Sequence, residues 1–430
     1  MSGLGSVLAR GRHPLITNVA ARAGALASLA LATLLVARIG GPTAVGVYVL
    51  LRILPGIVGL LIASGLPGAA PFFLAGTGRF DVRLRGTLVA IAVGAGVAGT
   101  ALWAVATPLL QNVFFDGVSR AAVALAGLTV LSQLLFASTK AFLQGIDDFP
   151  GTNWAILLEE SVFVPAYLVL YSVGVGGDYA IVSGLLIADV AATAVSSARL
   201  TRRGFFKRLG RPSLPLTIKV SAFGARGQVG NMISLLNYRL DFVILGALSG
   251  AAVLGTYAVA SKLAELLRLP SQSLYWVLYP RFAQQTEVEA ESRARQLIPR
   301  AGLFVAACAI PLALVAGVIV PGIYGDAFRP AIIPTQILLL GVSAEGVAGV
   351  ITAFLYGRGR PGLNSLATGG GLVVTVVLDL LLIPRFGAVG AAWASAAAYL
   401  TTTGLLVASF RYVTRKRELI AQLATPEAQR

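Results

Sequence analysis

Apolar runs of about 20 residues follow one another along almost the whole 430-residue chain, each long enough to cross a hydrocarbon core of about 30 Å. Twelve spans are expected: 15–38, 44–74, 86–109, 118–143, 153–173, 179–198, 216–246, 252–282, 297–320, 332–356, 363–383 and 389–410. The runs lack period-two alternation, so they read as helices and not as barrel strands. Charged residues make up 12% of the chain, against about 25% in soluble domains, too few to cover a water-facing surface of this size. The expectation is therefore an all-α integral membrane protein. The single Cys and single His exclude a Cys/His zinc site, a disulfide framework and a His-based triad. No metal and no cofactor are expected. Residues 1–14 are short and polar and run into a long apolar stretch, so no cleavable signal peptide is expected.

Cation placement orients the bundle. With the N-terminus inside, 24 of the 34 Lys and Arg fall at inner ends and loops, four (Arg38, Arg120, Arg329, Arg385) at outer connections and six within spans. This positive-inside bias puts both termini in the cytoplasm. It also explains the net charge of +16 as topology and attraction to anionic lipid, which leaves no need for a nucleic-acid partner.

The chain is internally duplicated. Gly41–Tyr48 (GPTAVGVY) aligns with Gly250–Tyr257 (GAAVLGTY) at an offset of 209, which also pairs Pro71 with Pro280 and Phe73 with Phe282. AFLQG at 141–145 matches AFLYG at 353–357 at an offset of 212. Six spans per half is an even number, so the halves share an orientation and are expected to relate by a pseudo-twofold axis along the membrane normal. The expected division is an N-terminal lobe at 1–204, a basic cytoplasmic linker at 205–215, a C-terminal lobe at 216–412 and a cytoplasmic tail at 413–430.

An ionisable group within a span costs about 2.5–3.5 kcal/mol at mid-helix, so these positions are informative. Arg22, Arg52, Arg226, Arg239, Lys262 and Arg268 all fall in the first two spans of one half or the other. Steps of three and four place further polar groups beside them: Asn18 with Arg22, Tyr48 with Arg52, Asn231 in the seventh span and Tyr257 in the eighth. A cavity lined by Arg, Asn and Tyr suits an anionic ligand rich in hydroxyls, because the guanidinium fork matches phosphate. The same residues have structural readings. Glu265 is three residues from both Lys262 and Arg268, Arg239 is near enough to satisfy Asp241, and Arg22 and Arg226 are near enough to the inner interface to snorkel. Arg52 has no acid in its own span. The acids Asp189, Asp241, Glu265, Glu345 and Asp379, with Glu159 and Glu160, read either as proton or Na+ coupling groups or as packing residues. The outer connections are short and carry no catalytic set, and no phosphate-cradling Gly-Lys loop is present, so no enzymatic activity and no direct ATP drive are expected.

GPTAVGVYVLLR (Gly41–Arg52), the segment Asn237–Phe282 and LLIPRFGAVGAAWASAAAYL (Leu381–Leu400) resemble the polysaccharide-transporter branch of the multidrug/oligosaccharidyl-lipid/polysaccharide (MOP) exporter superfamily. The resemblance implies a MATE-like fold of two six-helix lobes and a flippase for polyprenyl-(pyro)phosphate-linked oligosaccharides, working by alternating access in the cytoplasmic membrane. It implies cavity cations, carried over to Arg22, Arg52, Arg226, Arg239 and Lys262. It also implies glycosyltransferases or a polymerase of the same pathway as partners, besides the bilayer. The lipid II branch typically carries two further helices, and twelve spans argue against it. A proton- or sodium-coupled multidrug exporter is the alternative, kept open by Asp189, Glu345 and Asp379. A non-transporting scaffold for glycan-assembly enzymes is the alternative from another class.

Overall fold

The computed structural model describes the backbone of residues 3–423, and side chains at 18, 20–227, 239–268, 271, 274–275 and 277–415. The described chain is helical throughout, with no strand: α1 (Gly3–Ile62), α2 (Leu66–Leu74), α3 (Val82–Phe114), α4 (Arg120–Leu125), α5 (Leu128–Gly145), α6 (Phe149–Ser172), α7 (Gly177–Arg202), α8 (Leu214–Gln284), α9 (Glu287–Tyr324), α10 (Ile332–Val342), α11 (Glu345–Gly357) and α12 (Pro361–Leu423). Among the described residues nine helical runs are long and apolar enough to cross a membrane. Their outward faces are apolar: Val105, Leu303, Leu314 and Val318 are among the most exposed side chains. In water such surface drives association; in a bilayer it is the solvated state.

Three of the nine runs are hairpins, not rods. A straight helix of 43 residues, the length of the run Ala20–Ile62, would measure about 65 Å, twice the hydrocarbon core. The backbone leaves helical geometry at Gly41 (φ 68°, ψ −165°). The two limbs pack on α6 in opposite senses. In the first, Asn18 Nδ2 donates to Asn153 Oδ1 at 2.8 Å and Ser28 Oγ meets Ser161 Oγ at 3.0 Å. In the second, Tyr48 lies 4.9 Å from Phe163 and Arg52 pairs with Glu160. One limb runs with α6 and the other against it, so the chain reverses between them. The same non-helical backbone recurs at Gly250 (φ 80°, ψ 173°) and Gly387 (φ 51°, ψ −127°). Positive φ is open to Gly without the Cβ penalty that other residues bear. Gly41 and Gly250 are the first residues of the duplicated octapeptide, and both stand at the reversal.

The chain forms two compact units, Met1–Met232 and Ile233–Arg430. In the first, Leu66, Leu74, Leu88, Phe142, Leu143 and Phe205 anchor a buried cluster. In the second, Phe282, Val350, Phe354, Leu406 and Phe410 do the same. AFLQG and AFLYG serve these cores alike. A Cβ on Gly145 would stand 2.7 Å from Leu74 Cβ, and one on Gly357 would stand 2.7 Å from Phe282 Cβ, so each glycine seats α5 or α11 against the neighbouring helix.

The units divide at 232/233, inside α8. The 205–215 segment is strapped to the first unit: Arg85 Nη1 donates to the carbonyls of Gly204 and Phe205 at 3.2 Å, and Gly210 N donates to the Val82 carbonyl at 2.7 Å. Phe205 stacks on Phe142 at 5.3 Å. The start of α8 follows, with Phe223 stacked on Phe72 at 4.5 Å.

Candidate functional site

In the first unit a cavity of about 210 Å3 opens beside the second limb of α1. Pro55, Gly56 and Gly59 of that limb line it, and Gly56 lets α5 approach: a Cβ there would stand 3.2 Å from Gln133 Oε1. The polar lining is Arg52 from α1, Gln133 and Lys140 from α5, Glu159 from α6 and Asp189 from α7. Gln133 and Lys140 share a face of α5 because they are seven residues, two turns, apart. Lys140 reads from sequence as an inner-end charge; it lies within α5, with Nζ 4.7 Å over the Phe136 ring.

Arg52 finds its acid on another helix. Its Nη2 pairs with Glu160 Oε1 at 2.6 Å, and its Nη1 donates to the Tyr48 hydroxyl at 3.3 Å. The second Glu160 oxygen is buried without a hydrogen-bond partner, so the pair engages one carboxylate oxygen and leaves the guanidinium fork incompletely used. Tyr48 itself is buried. Asp189 is buried and accepts from Ser132 Oγ at 2.6 Å.

Asn18 and Arg22 are joined, Arg22 Nε donating to Asn18 Oδ1 at 3.0 Å, and Arg22 is exposed. Arg226 is exposed. Among the described residues neither arginine has a carboxylate partner. Asn231 lies outside the residues whose side chains are described.

In the second unit the charges form two clusters around a third group. Glu265 takes Lys262 at 2.8 Å and Arg239 at 3.5 Å. Arg268 goes to Glu345 at 2.8 Å, with its guanidinium 4.4 Å over the Tyr399 ring. Arg239 therefore serves Glu265 and not Asp241: residues two apart point about 200° away from one another on a helix. Asp241 is buried and accepts from the Tyr257 hydroxyl at 2.5 Å and from the Phe242 N–H at 2.9 Å. Tyr257, fully buried, also meets Ser395 Oγ at 3.0 Å. Asp379 is fully buried, and neither carboxylate oxygen has a hydrogen-bond partner. The nearby charge that bears on it is that of Asp241. An uncompensated charge in this setting costs several kcal/mol, so Asp379 needs a proton or a cation. Among the described residues no set of three or more His, Cys, Asp or Glu stands ready to hold a metal ion.

Sequence reasoning missed Gln133, Ser132 and Ser395. Single polar residues in apolar runs, they are common as packing hydroxyls and amides, and only tertiary contact distinguishes them. The Glu159–Glu160 doublet in an apolar span was the available signal for a partner to Arg52.

A sequence profile described as "Polysaccharide biosynthesis protein" matches residues 35–333. A probable low-salt glycan biosynthesis flippase, Agl15, of Haloferax volcanii is 26% identical over 170 residues, which is 39% of this chain and 36% of that protein; the match thus spans about a third of the relative's length. Among solved structures, a lipid II flippase, MurJ, in an inward closed conformation superposes with a TM-score of 0.74 at 14% identity, covering 93% of this chain and 87% of that one. An inward-facing multidrug resistance MATE family transporter of the MOP superfamily superposes with a TM-score of 0.66 at 15% identity, covering 94% and 96%. The fold is shared with these two solved structures.

Proposed function

The chain belongs to the polysaccharide biosynthesis protein family, and from that premise we propose that it is a flippase moving a polyprenyl-(pyro)phosphate-linked oligosaccharide across the cytoplasmic membrane by alternating access. The observation that carries the reading is the Arg52–Glu160 pair at the wall of a polar cavity. A guanidinium held by one carboxylate oxygen keeps donors for a second anion, and a phosphate offers it the planar, bidentate match that Glu160 does not. The further residues proposed to hold substrate are Asn18, Arg22, Tyr48, Arg226 and Asn231 in the first unit and Arg239, Tyr257 and Lys262 in the second. The prenyl tail stays in lipid.

Reading each glycine reversal as a return across the membrane gives twelve crossings, divided among an N-terminal lobe, the strap at 205–215, a C-terminal lobe and the tail, with both termini cytoplasmic as the charge bias requires. Asp379 is the proposed coupling group: buried with both carboxylate oxygens unpartnered, it would take up a proton or Na+ in this conformation and release it in another. The other acids, Asp189, Glu265 and Glu345, each have an intramolecular partner and are assigned to structure.

The test is head-group translocation in proteoliposomes, with a fluorescent polyprenyl-pyrophosphate oligosaccharide. Protein-dependent loss of label from one leaflet, abolished in Arg52→Ala and partly restored in Arg52→Lys, is expected. Full activity in Arg52→Ala removes Arg52 from the mechanism. No translocation of any glycan, together with gradient-driven uptake of a cationic dye, replaces the flippase reading with drug export.

A further inference from the structure

A second cavity, of about 510 Å3, lies in the second unit where the start of α9, α11 and the end of α12 meet. Its rim carries Arg295, Arg411 and Arg415, with the buried Thr414 donating its hydroxyl to the Arg411 carbonyl at 3.2 Å, and its floor is apolar, with Ile298 and Val407 among the side chains. The α12 members, Val407, Phe410, Arg411, Thr414 and Arg415, follow steps of three and one, one face of one helix. Arg295 is held by Glu291, Nε at 2.9 Å and Nη2 at 2.7 Å from the same oxygen. Among the described residues no carboxylate is within ion-pair distance of Arg411 or Arg415. The patch therefore carries an excess of about two positive charges over an apolar surface.

We propose that this cavity binds the head group of an anionic phospholipid. The phosphate meets Arg411 and Arg415, and the glycerol and upper acyl chains lie on Ile298 and Val407. A soluble anion makes no use of the apolar floor, and a neutral lipid makes no use of the arginines; an acidic lipid uses both. The charge bias places this end of the helices at the cytoplasmic leaflet, where anionic lipids concentrate and each nearby Lys or Arg favours them. The site involves none of the residues assigned to transport, so it stands or falls apart from the flippase reading.

Native mass spectrometry of the full chain, released from detergent with added dioleoylphosphatidylglycerol, tests it. One retained lipid is expected, weakened about fivefold for each arginine removed in Arg411→Gln and Arg415→Gln, and kept in the Lys variants. Circular dichroism and the melting temperature of the Gln variants establish that they are folded. Equal retention by the double Gln variant overturns the site. So does equal retention of dioleoylphosphatidylcholine, which has the same chains without net charge. Displacement by glycerol phosphate reassigns the cavity to a soluble anion. Retention that appears only in a chain ending at Arg415 makes the C-terminal tail the occupant instead.

Discussion

The Tyr257 hydroxyl donates to the Asp241 carboxylate at 2.5 Å across 16 residues of sequence, a separation that a straight helix would stretch to about 24 Å. The hydrogen bond closes the hairpin whose turn is Gly250. Tyr257→Phe leaves Asp241 with the Phe242 N–H and a long contact to Ser395 (3.4 Å). A buried acceptor deprived of its donor costs about 1–3 kcal/mol, so the variant is expected to melt earlier in detergent, by a margin that Ser395→Ala alone does not reach.

Arg52 and Glu160 separate structure from transport. Arg52→Ala strands Glu160, whose side chain is 13% exposed, and is expected to cost about 3 kcal/mol. Arg52→Ala/Glu160→Gln recovers part of that loss because no charge is stranded. If Arg52 binds the phosphate, translocation stays absent in the double variant although stability returns. Recovery of both together would assign Arg52 to packing alone.

Asp379→Asn replaces a group in need of neutralisation with a neutral isostere. The expected protein is at least as stable as the parent in a melting experiment, and its translocation no longer responds to an imposed Na+ or proton gradient. A gradient response equal to the parent's sinks the coupling assignment.

Acid sensitivity is expected from Asp148, in the turn between α5 and α6. It caps α6 by accepting from Gly151 N at 3.1 Å and takes Arg199 Nε at 2.5 Å and Nη2 at 2.9 Å. Burial opposes its charge, but the Arg199 hydrogen bonds, the Gly151 N–H and the charges of Arg199 and Arg203 outweigh burial and hold the carboxyl below its ordinary value. A carboxyl lowered in the folded state stabilises above its unfolded value, and that contribution is lost as pH falls through the folded one. Melting temperature against pH is expected to fall on the acid side of the ordinary Asp range. Asp148→Asn is expected to start lower and to fall less.

The close seats at Gly145 and Gly357 predict matched effects. Valine at either position forces a helix away from its neighbour, at about 1–3 kcal/mol, read as a lower melting temperature. A cost at one site alone would deny that the AFLxG repeat has one structural role.

Much of the architecture was legible because lipid imposes few solutions. Each apolar run had to be a helix, and the octapeptide repeat marked Gly41 and Gly250 before any coordinate did. Gly387 had no repeat partner to flag it, although the expected spans break beside it. The site was harder to read. Arg52, Arg239 and Arg268 were visible as costly charges, but their partners Glu160, Glu265 and Glu345 were not assignable, since two lie on other helices and spacing along one helix says nothing of them. Packing at the basic segment was not legible either: such a run looks like a free linker until Phe205 is seen to stack on Phe142.

At Gly41, Gly250 and Gly387 one residue does what a loop does elsewhere, and the helix resumes on either side. Such a turn offers a protease no extended segment to thread and an antibody no projecting epitope. A tag or a reporter inserted there has to break two helices at once. Probes for this protein belong in the turn at 115–119, and the three glycine corners can be expected to stay silent to anything that reads the molecule from outside the bilayer.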